Sequence, residues 1–212
     1  MATMYTLRLY HDELPAKAAL ALTAANRVCY LVAGAATIRS GGQAATLGTN
    51  SAWHASGAAT LVAGSEGATL ARFELVRTGT PAERAPQLEA ALALDAPEGY
   101  LMRCDKVSFP LGGIAYTHTH QGGGIRRLLA GGIRIETGGK SHDIASGGAW
   151  FESGPEPVLA LASNESLTSF VRVMILPRAL QGKSSIRYVK PEDQDKPKLQ
   201  QYQMFVDDFI VI

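Results

Sequence analysis

Two histidines separated by one residue, His118 and His120, are the most informative chemical feature of the sequence. In a β-strand alternate side chains share a face, so both imidazoles would point one way and Thr119 the other. Two imidazoles on one face of a strand can chelate one divalent ion. The pair therefore predicts a metal site, and the alternative is two histidines hydrogen-bonded in a cavity without metal.

Two arginines, Arg126 and Arg127, follow the histidines after a GGG segment. By strand alternation one faces inward and the other outward, and the sequence does not fix which. An inward guanidinium beside two histidines would favour a carboxylate-bearing ligand. We take Gln121, Arg126 and Trp150 as candidate substrate-binding residues, although a tryptophan here suits a core or rim position equally well.

The elements that must position these side chains come from an internal repeat. Shifting the chain by 97 residues aligns Tyr30–Gly57 with Arg127–Gly154 without a gap, and ten of the 28 pairs are identical. The shared AW..SG segment keeps the register of two Gly-Gly pairs, which argues against chance similarity between Ala- and Gly-rich segments. The sequence therefore indicates a duplication.

Each copy is predicted to consist of short strands separated by glycine. Ala36–Arg39 and Ile133–Glu136 alternate and lead into Gly-Gly pairs that supply positive φ in a hairpin turn. Thr69–Val76 and Leu167–Leu176 are predicted to be the closing strands. Many short, evenly spaced strands are typical of an all-β sandwich or barrel.

Two segments lie outside this pattern. Residues 80–97 predict a short connecting helix, because Thr80 could cap it, Pro81 suits its first turn and QLEAALAL has helical periodicity. The tail, residues 179–212, is charged at first and then strongly apolar. We expect it to pack as an added strand on the first barrel or across a dimer, since an exposed apolar end favours aggregation.

Composition excludes several classes of protein. The net charge is +1 and no basic stripe is present, so nucleic acid is not an expected partner. No window approaches the roughly 18 apolar residues of a membrane helix, and the N-terminus does not resemble a signal peptide, so we expect a cytoplasmic protein. Cys29 and Cys104 cannot form a disulfide framework and are expected to be small buried residues.

The segment from Gly113 to Gly131, with its glycine, His-x-His pair and Gly-ended strand, resembles the first signature of the cupin superfamily. Gly147–Val158 lies where the second signature should be. The resemblance implies two tandem jelly-roll barrels, a bicupin, with residues 1–79 and 98–178 as the two halves and a degenerate first half. The first-copy positions matching the histidines are Ala21 and Thr23.

The sequence departs from the cupin pattern at two ligands. The usual glutamate would fall near Gly123–Ile125, where no acid stands, and the usual last histidine would fall at about Val158. Glu152, Glu156 and Gln121 are candidate replacements, of which we favour Glu152. The alternative is that Glu152 is a solvated carboxylate or pairs with Arg126 or Arg127.

The resemblance implies one divalent transition metal per chain, iron, manganese, nickel or zinc. It also implies an enzyme of the dioxygenase, isomerase or lyase type that acts on a small organic molecule. A non-enzymatic binder or sensor of a small ligand is the alternative, since two ligands are missing. By the same resemblance we expect a homodimer.

Overall fold

The computed structural model describes residues 2–95 and 99–212, and it confirms the predicted all-β fold. The described residues contain no α-helix; 3₁₀ turns lie at Arg178–Leu180 and Pro191–Asp193. The strands of the first half are β1 Thr3–Leu14, β2 Ala19–Leu22, β3 Asn26–Ser40, β4 Gln43–Gly48, β5 Ser51–Ala55, β6 Ala59–Arg77 and β7 Leu88–Leu94. The strands that follow are β8 Tyr100–Phe109, β9 Ile114–His120, β10 Gly124–Ala130, β11 Gly132–Thr137, β12 Lys140–Ala145, β13 Ala149–Glu152, β14 Val158–Ala162, β15 Thr168–Pro177, β16 Ile186–Tyr188 and β17 Gln201–Ile210.

The chain divides into two compact units. The first unit comprises the described residues up to Gly99 together with Ile210–Ile212, and the second comprises Tyr100–Phe209.

The first unit is one antiparallel sheet with the strand order β4-β3-β6-β1-β7, to which β2 adds on β6 and β5 on β3. The long strands β3 and β6 each run through two parts of the sheet, with register shifts where they bend. Its apolar core includes Leu31, Ile38, Leu61 and Leu70, each at most 1% exposed.

The second unit has two five-stranded antiparallel sheets, β13-β10-β15-β8-β17 and β12-β11-β14-β9-β16. Leu128, Ile135, Val158 and Phe170 are among the buried residues of its core. The strand order β13-β10-β15-β8-β17 has the same pattern as β5-β3-β6-β1-β7 in the first unit, so the predicted duplication extends to strand pairing.

Most glycines shared by the two copies lie where the backbone has positive φ or leaves no room for a side chain. Gly41 and Gly42 in the β3–β4 turn, and Gly138 and Gly139 in the β11–β12 turn, all have positive φ, which confirms the predicted hairpin turns. At Gly131 (φ 75°), a Cβ would lie 2.6 Å from the Leu167 carbonyl oxygen, so only glycine fits there.

The predicted connecting helix over residues 80–97 is wrong where the structure describes it; Ala96 and Pro97 lie outside the described residues. Leu88–Leu94 is strand β7, which pairs antiparallel with β1. Leu92 and Leu94 are buried while Glu89 and Ala93 are exposed, which is a two-residue period. The apolar residues of LEAALAL fit both a helical period and the two-residue period of a strand. Backbone hydrogen bonds to the open edge of β1 override the helical propensity of the segment.

The tail adds strands β16 and β17 to the second unit, and not to the first barrel, which was one of its two predicted positions; the other, across a dimer, stays a prediction. β16 pairs with β9, and β17 lies next to β8 at the edge of its sheet. Val206 of β17 is buried, whereas Tyr202, Met204 and Phe209 of the same strand are 50%, 48% and 42% exposed, so the apolar end is covered only in part.

No helix among the described residues is long and apolar enough to cross a membrane.

Candidate metal centre

The two histidines lie on β9 and both point into the second unit. His118 and His120 are 5% and 4% exposed, and their ring centroids are 4.9 Å apart in an edge-on arrangement. Alternation along the strand gives them a common face, as the sequence predicts. Burial lowers the pKa of both imidazoles, and for His120 the nearby guanidinium of Arg126 lowers it further.

Each imidazole is oriented by a hydrogen bond at Nδ1. His118 Nδ1 donates to the Tyr116 carbonyl oxygen at 2.7 Å, which leaves Nε2 of the neutral ring as an acceptor. His120 Nδ1 is hydrogen-bonded to Ser185 Oγ at 3.2 Å, and that hydroxyl in turn contacts the Met174 sulfur. A hydrogen bond to Nδ1 that fixes the ring and frees Nε2 is the usual arrangement around metal-binding histidines.

Glu152 completes a cluster with the histidines. One donor atom from each of His118, His120 and Glu152 lies within 4.8 Å of the other two, and all three residues are buried. Glu152 is the last residue of β13, where it pairs with Gly124 of β10. The indole nitrogen of Trp150 donates to Glu152 Oε1 at 2.8 Å, so Trp150 orients this carboxylate.

Arg126 is the inward arginine, and it holds the other carboxylate oxygen. Its Nη2 lies 2.6 Å from Glu152 Oε2, and its side chain is 1% exposed. The contact lacks hydrogen-bond geometry, so Oε2 is a buried oxygen without a hydrogen bond in the described structure. Oε2 also lies 3.6 Å from His120 Nε2. Desolvation lowers the pKa of Arg126 to about 10, so the guanidinium remains charged at neutral pH.

The cavity at this cluster is small. It has a volume of about 20 Å³, which accommodates about one water-sized body. An ion would fit, whereas an ion and an organic molecule together would require side chains to move. The residues that line it include His118, His120, Arg126, Trp150, Glu152, Arg172, Ile186 and Tyr202.

The donor set fits a divalent transition metal. Two neutral imidazoles with free Nε2 atoms and one carboxylate are a familiar ligand combination for zinc, manganese, nickel and iron. The unsatisfied Oε2 of Glu152 is an oxygen that a cation would satisfy. Against this, Arg126 already contacts that oxygen and would repel a cation.

Other candidate residues lie outside the cluster. Gln121 hydrogen-bonds with Arg187 and does not line the cavity. Val158, where the cupin pattern would have its last histidine, pairs with His118 and belongs to the apolar core. Glu156 is exposed, as is His142.

Sequence reasoning missed two groups at the site. Arg172 is buried beside the cavity and forms a two-point ion pair with Asp105, at 2.6 and 3.0 Å. The tail contributes Ser185, Ile186 and Tyr202. The sequence contains a sign of the Arg172–Asp105 pair, since both are charged residues in mainly apolar strands. It contains no sign that the tail residues belong to the site.

The corresponding place in the first unit has different residues. By strand pairing, the inward positions of β2 are Leu20 and Leu22, one residue away from the Ala21 and Thr23 expected from the repeat. Nearby, buried Arg27 pairs with Glu74 and buried Arg72 pairs with Asp12, both at 2.7 Å. Buried ion pairs thus lie close to the position that corresponds to the cluster.

No protein-family model and no curated protein sequence matches this chain. Among solved structures, it resembles AerE from Microcystis aeruginosa, with a TM-score of 0.61 and 14% identity over 81% of this chain and 88% of that one. It also resembles a deletion mutant of the oxalate decarboxylase OxdC from Bacillus subtilis, with a TM-score of 0.64 and 10% identity over 92% of this chain and 73% of the other.

A further structure of the Bacillus subtilis oxalate decarboxylase, from work on its Mn(II) centres, matches with a TM-score of 0.66 and 9% identity over 92% and 74% of the two chains. Identities this low establish similarity of fold alone. These structural similarities, together with the antiparallel sheets described above, show that this chain has the cupin fold.

Proposed function

We propose that the chain is a metal-dependent cupin enzyme whose second unit binds one divalent ion and acts on a small organic anion. The observation that carries the proposal is the convergence of His118, His120 and Glu152 in one buried cavity. The ion would supply Lewis-acid polarisation of a bound oxygen. The reaction would be of the dioxygenase, isomerase or lyase type.

The position of Glu152 supports its role as the third ligand. The glutamate of the cupin pattern would lie near Gly123–Ile125, at the start of β10, and Glu152 of the neighbouring strand pairs with Gly124. A carboxylate therefore reaches the same part of the sheet from β13. The Trp150 indole and the Arg126 guanidinium hold it there.

Charge balance favours an anionic substrate. With neutral imidazoles, Glu152 and Arg126 cancel each other, and Asp105 cancels Arg172. A divalent ion would then leave two uncompensated positive charges in a buried site, which is costly unless an anion accompanies it. A small organic acid supplies both the charge and oxygen ligands.

We further propose that the chain is a bicupin with a degenerate first half. Leu20 and Leu22 take the inward positions that correspond to the histidines, and buried arginine–carboxylate ion pairs lie nearby. The likeness to the Bacillus subtilis oxalate decarboxylase makes manganese the first ion to test, ahead of iron, nickel and zinc.

A second candidate function is metal-free binding of a small anion. The observation that favours it is the 2.6 Å contact between Arg126 and Glu152, since the buried carboxylate already has a cation beside it. In this case, the same unit would bind or sense a ligand without turnover.

The two candidates differ in their response to metal. Under the enzyme proposal, Mn(II) titrated into chelator-treated protein binds at one site, and the double variant His118→Ala/His120→Ala loses it. His142→Ala is the matched control, because His142 is an exposed histidine on β12 of the same unit. Equal Mn(II) binding by all three proteins, or by none, would reject the enzyme proposal in favour of the second candidate.

A further inference from the structure

A second, larger cavity lies within the second unit, between the tail and strands β8 and β15. We call it the tail cavity; its lining includes Arg103, Arg172, Lys183, Tyr188, Tyr202 and Met204. Its volume is about 630 Å³, which falls in the range of about 300–1,000 Å³ typical of sites for small molecules. It is thus large enough for an organic ligand that the cavity at the histidines cannot hold.

The tail cavity has more positive than negative charges. Its two acids are already paired: Asp207 with Arg103 at 2.8 Å and Asp105 with Arg172 at 2.6 Å. Lys183 also lines the cavity and has no acidic partner among the described residues. A ligand with a negative group would balance this excess.

Arg172 also has donor capacity left. Asp105 accepts from its Nε and Nη2, and within the described part of the chain Nη1 forms no hydrogen bond. Arg172 is held in place by this ion pair, so its free edge is a fixed donor.

The rest of the lining suits an apolar or aromatic body. Tyr202 and Met204 are 50% and 48% exposed although they lie beside the cavity. Tyr188 and Ile186 from β16 add further apolar surface. A flat organic body would remove this surface from water, and aromatic rings offer it a stacking face.

The two cavities are neighbours. Arg172, Ile186 and Tyr202 line both the tail cavity and the small cavity of His118 and His120. An anion bound in the tail cavity would therefore lie next to the candidate metal centre.

We infer that the tail cavity is a binding site for an organic anion with an aromatic or apolar body. That this anion is the substrate of the metal centre rests on the proposed function. Binding of the anion in the tail cavity does not rest on it. Tail residues from β16 and β17 are thereby part of the ligand site.

Calorimetric titration of the full chain with three probes tests the inference. Indole-3-acetate carries both an aromatic body and a carboxylate, indole-3-acetamide lacks the charge, and acetate lacks the body. We expect indole-3-acetate to bind, the amide to bind about tenfold more weakly because it loses a charge-assisted contact, and acetate to show no measurable binding. No binding of indole-3-acetate at millimolar concentration, or equal binding of the amide, would overturn the inference.

Two pairs of surface variants locate the binding. Lys183→Ser and Met204→Ser should each weaken indole-3-acetate binding by about three- to tenfold. Lys190→Ser and Val189→Ser are matched controls, because both residues are exposed in the tail and do not line the cavity. Equal effects of a variant and its control would place the ligand elsewhere.

Metal content of the same proteins separates this inference from the proposed function. Lys183→Ser and Met204→Ser should retain the metal of the wild type, since neither residue contacts the histidine cluster. Anion binding without metal would reject the enzyme proposal alone. Metal without anion binding would reject the tail cavity alone.

Discussion

At the scale of single residues, Arg126 is the nearest charge to the proposed metal ligand Glu152, so the metal proposal depends on it most. Its guanidinium contacts Glu152 and is almost completely buried. Removing each of two charges from water costs several kcal/mol, and the attraction between the paired charges offsets that cost. When one partner is lost, the other charge stays buried without compensation. Under the proposed function, Arg126 would therefore stabilise the metal-free state and compete with the metal for Glu152.

Replacing Arg126 tests this competition. Arg126→Met should destabilise the metal-free protein by about 3–5 kcal/mol, because Glu152 loses its counter-charge. Manganese should then stabilise the variant more than it stabilises the wild type. Thermal unfolding with and without Mn(II) measures both effects.

Arg134→Met is the control for that experiment. Arg134 is an exposed arginine of the same unit, and its replacement should change stability by less than about 0.5 kcal/mol. A manganese response in Arg126→Met no larger than that of the wild type would show that Arg126 does not oppose metal.

Single residues also show how much of the site the sequence contains. The His-x-His spacing and a nearby acid are local patterns, so His118, His120 and Glu152 could be proposed without coordinates. Ser185 lies 65 positions from His120, and no local pattern connects them. Whether Arg126 faces inward or outward depends on the backbone of the irregular GGG segment before it. Strand alternation alone therefore cannot assign the direction.

At the scale of elements, β7 and β17 have the same place in the two units. Each adds to the first strand of its unit, β1 or β8, at the edge of the sheet. In each unit an arginine of that first strand pairs with an acid of the added strand: Arg8 with Glu89, and Arg103 with Asp207. The repeat therefore includes segments that sequence similarity does not reveal.

Threonine substitutions distinguish a strand from the helix that the sequence predicts at β7. Ala91 and Ala93 are exposed and pair with Thr6 and Met4. In a strand, Ala91→Thr/Ala93→Thr should leave stability unchanged or raise it by up to about 1 kcal/mol. In a helix the same change should cost roughly 0.5 kcal/mol or more. Urea unfolding measures the difference, with Ala82→Thr in the exposed preceding loop as the control.

The misassignment of β7 has a general cause. Alanine and leucine favour helices locally, but an open strand edge and an apolar surface are properties of the folded sheet. The strands with glycine turns, such as β3–β4 and β11–β12, were predictable because the turn chemistry is local.

At the scale of the whole molecule, each unit carries one buried cysteine. Cys29 lies in the first unit and Cys104 in the second, and neither is exposed. Burial raises the pKa of Cys29 to about 12 and raises that of Cys104 as well. Both thiols should be unreactive in the native protein at pH 8.

These thiols can report on each unit separately. All three proposed metal ligands belong to the second unit, so Mn(II) should slow labelling of Cys104 in moderate urea more than labelling of Cys29. Thiol labelling followed by peptide mass spectrometry gives both rates. Unchanged protection of Cys104 in the presence of Mn(II) would contradict metal binding in the second unit.

The measurement that tests the central claim most directly is elemental analysis of protein purified without an affinity tag or chelator. We predict one transition-metal ion per chain in the wild type and in His142→Ala, and its loss in His118→Ala/His120→Ala. Absence of bound metal, even after incubation with manganese, iron, nickel and zinc, would contradict the claim that His118, His120 and Glu152 form a metal centre.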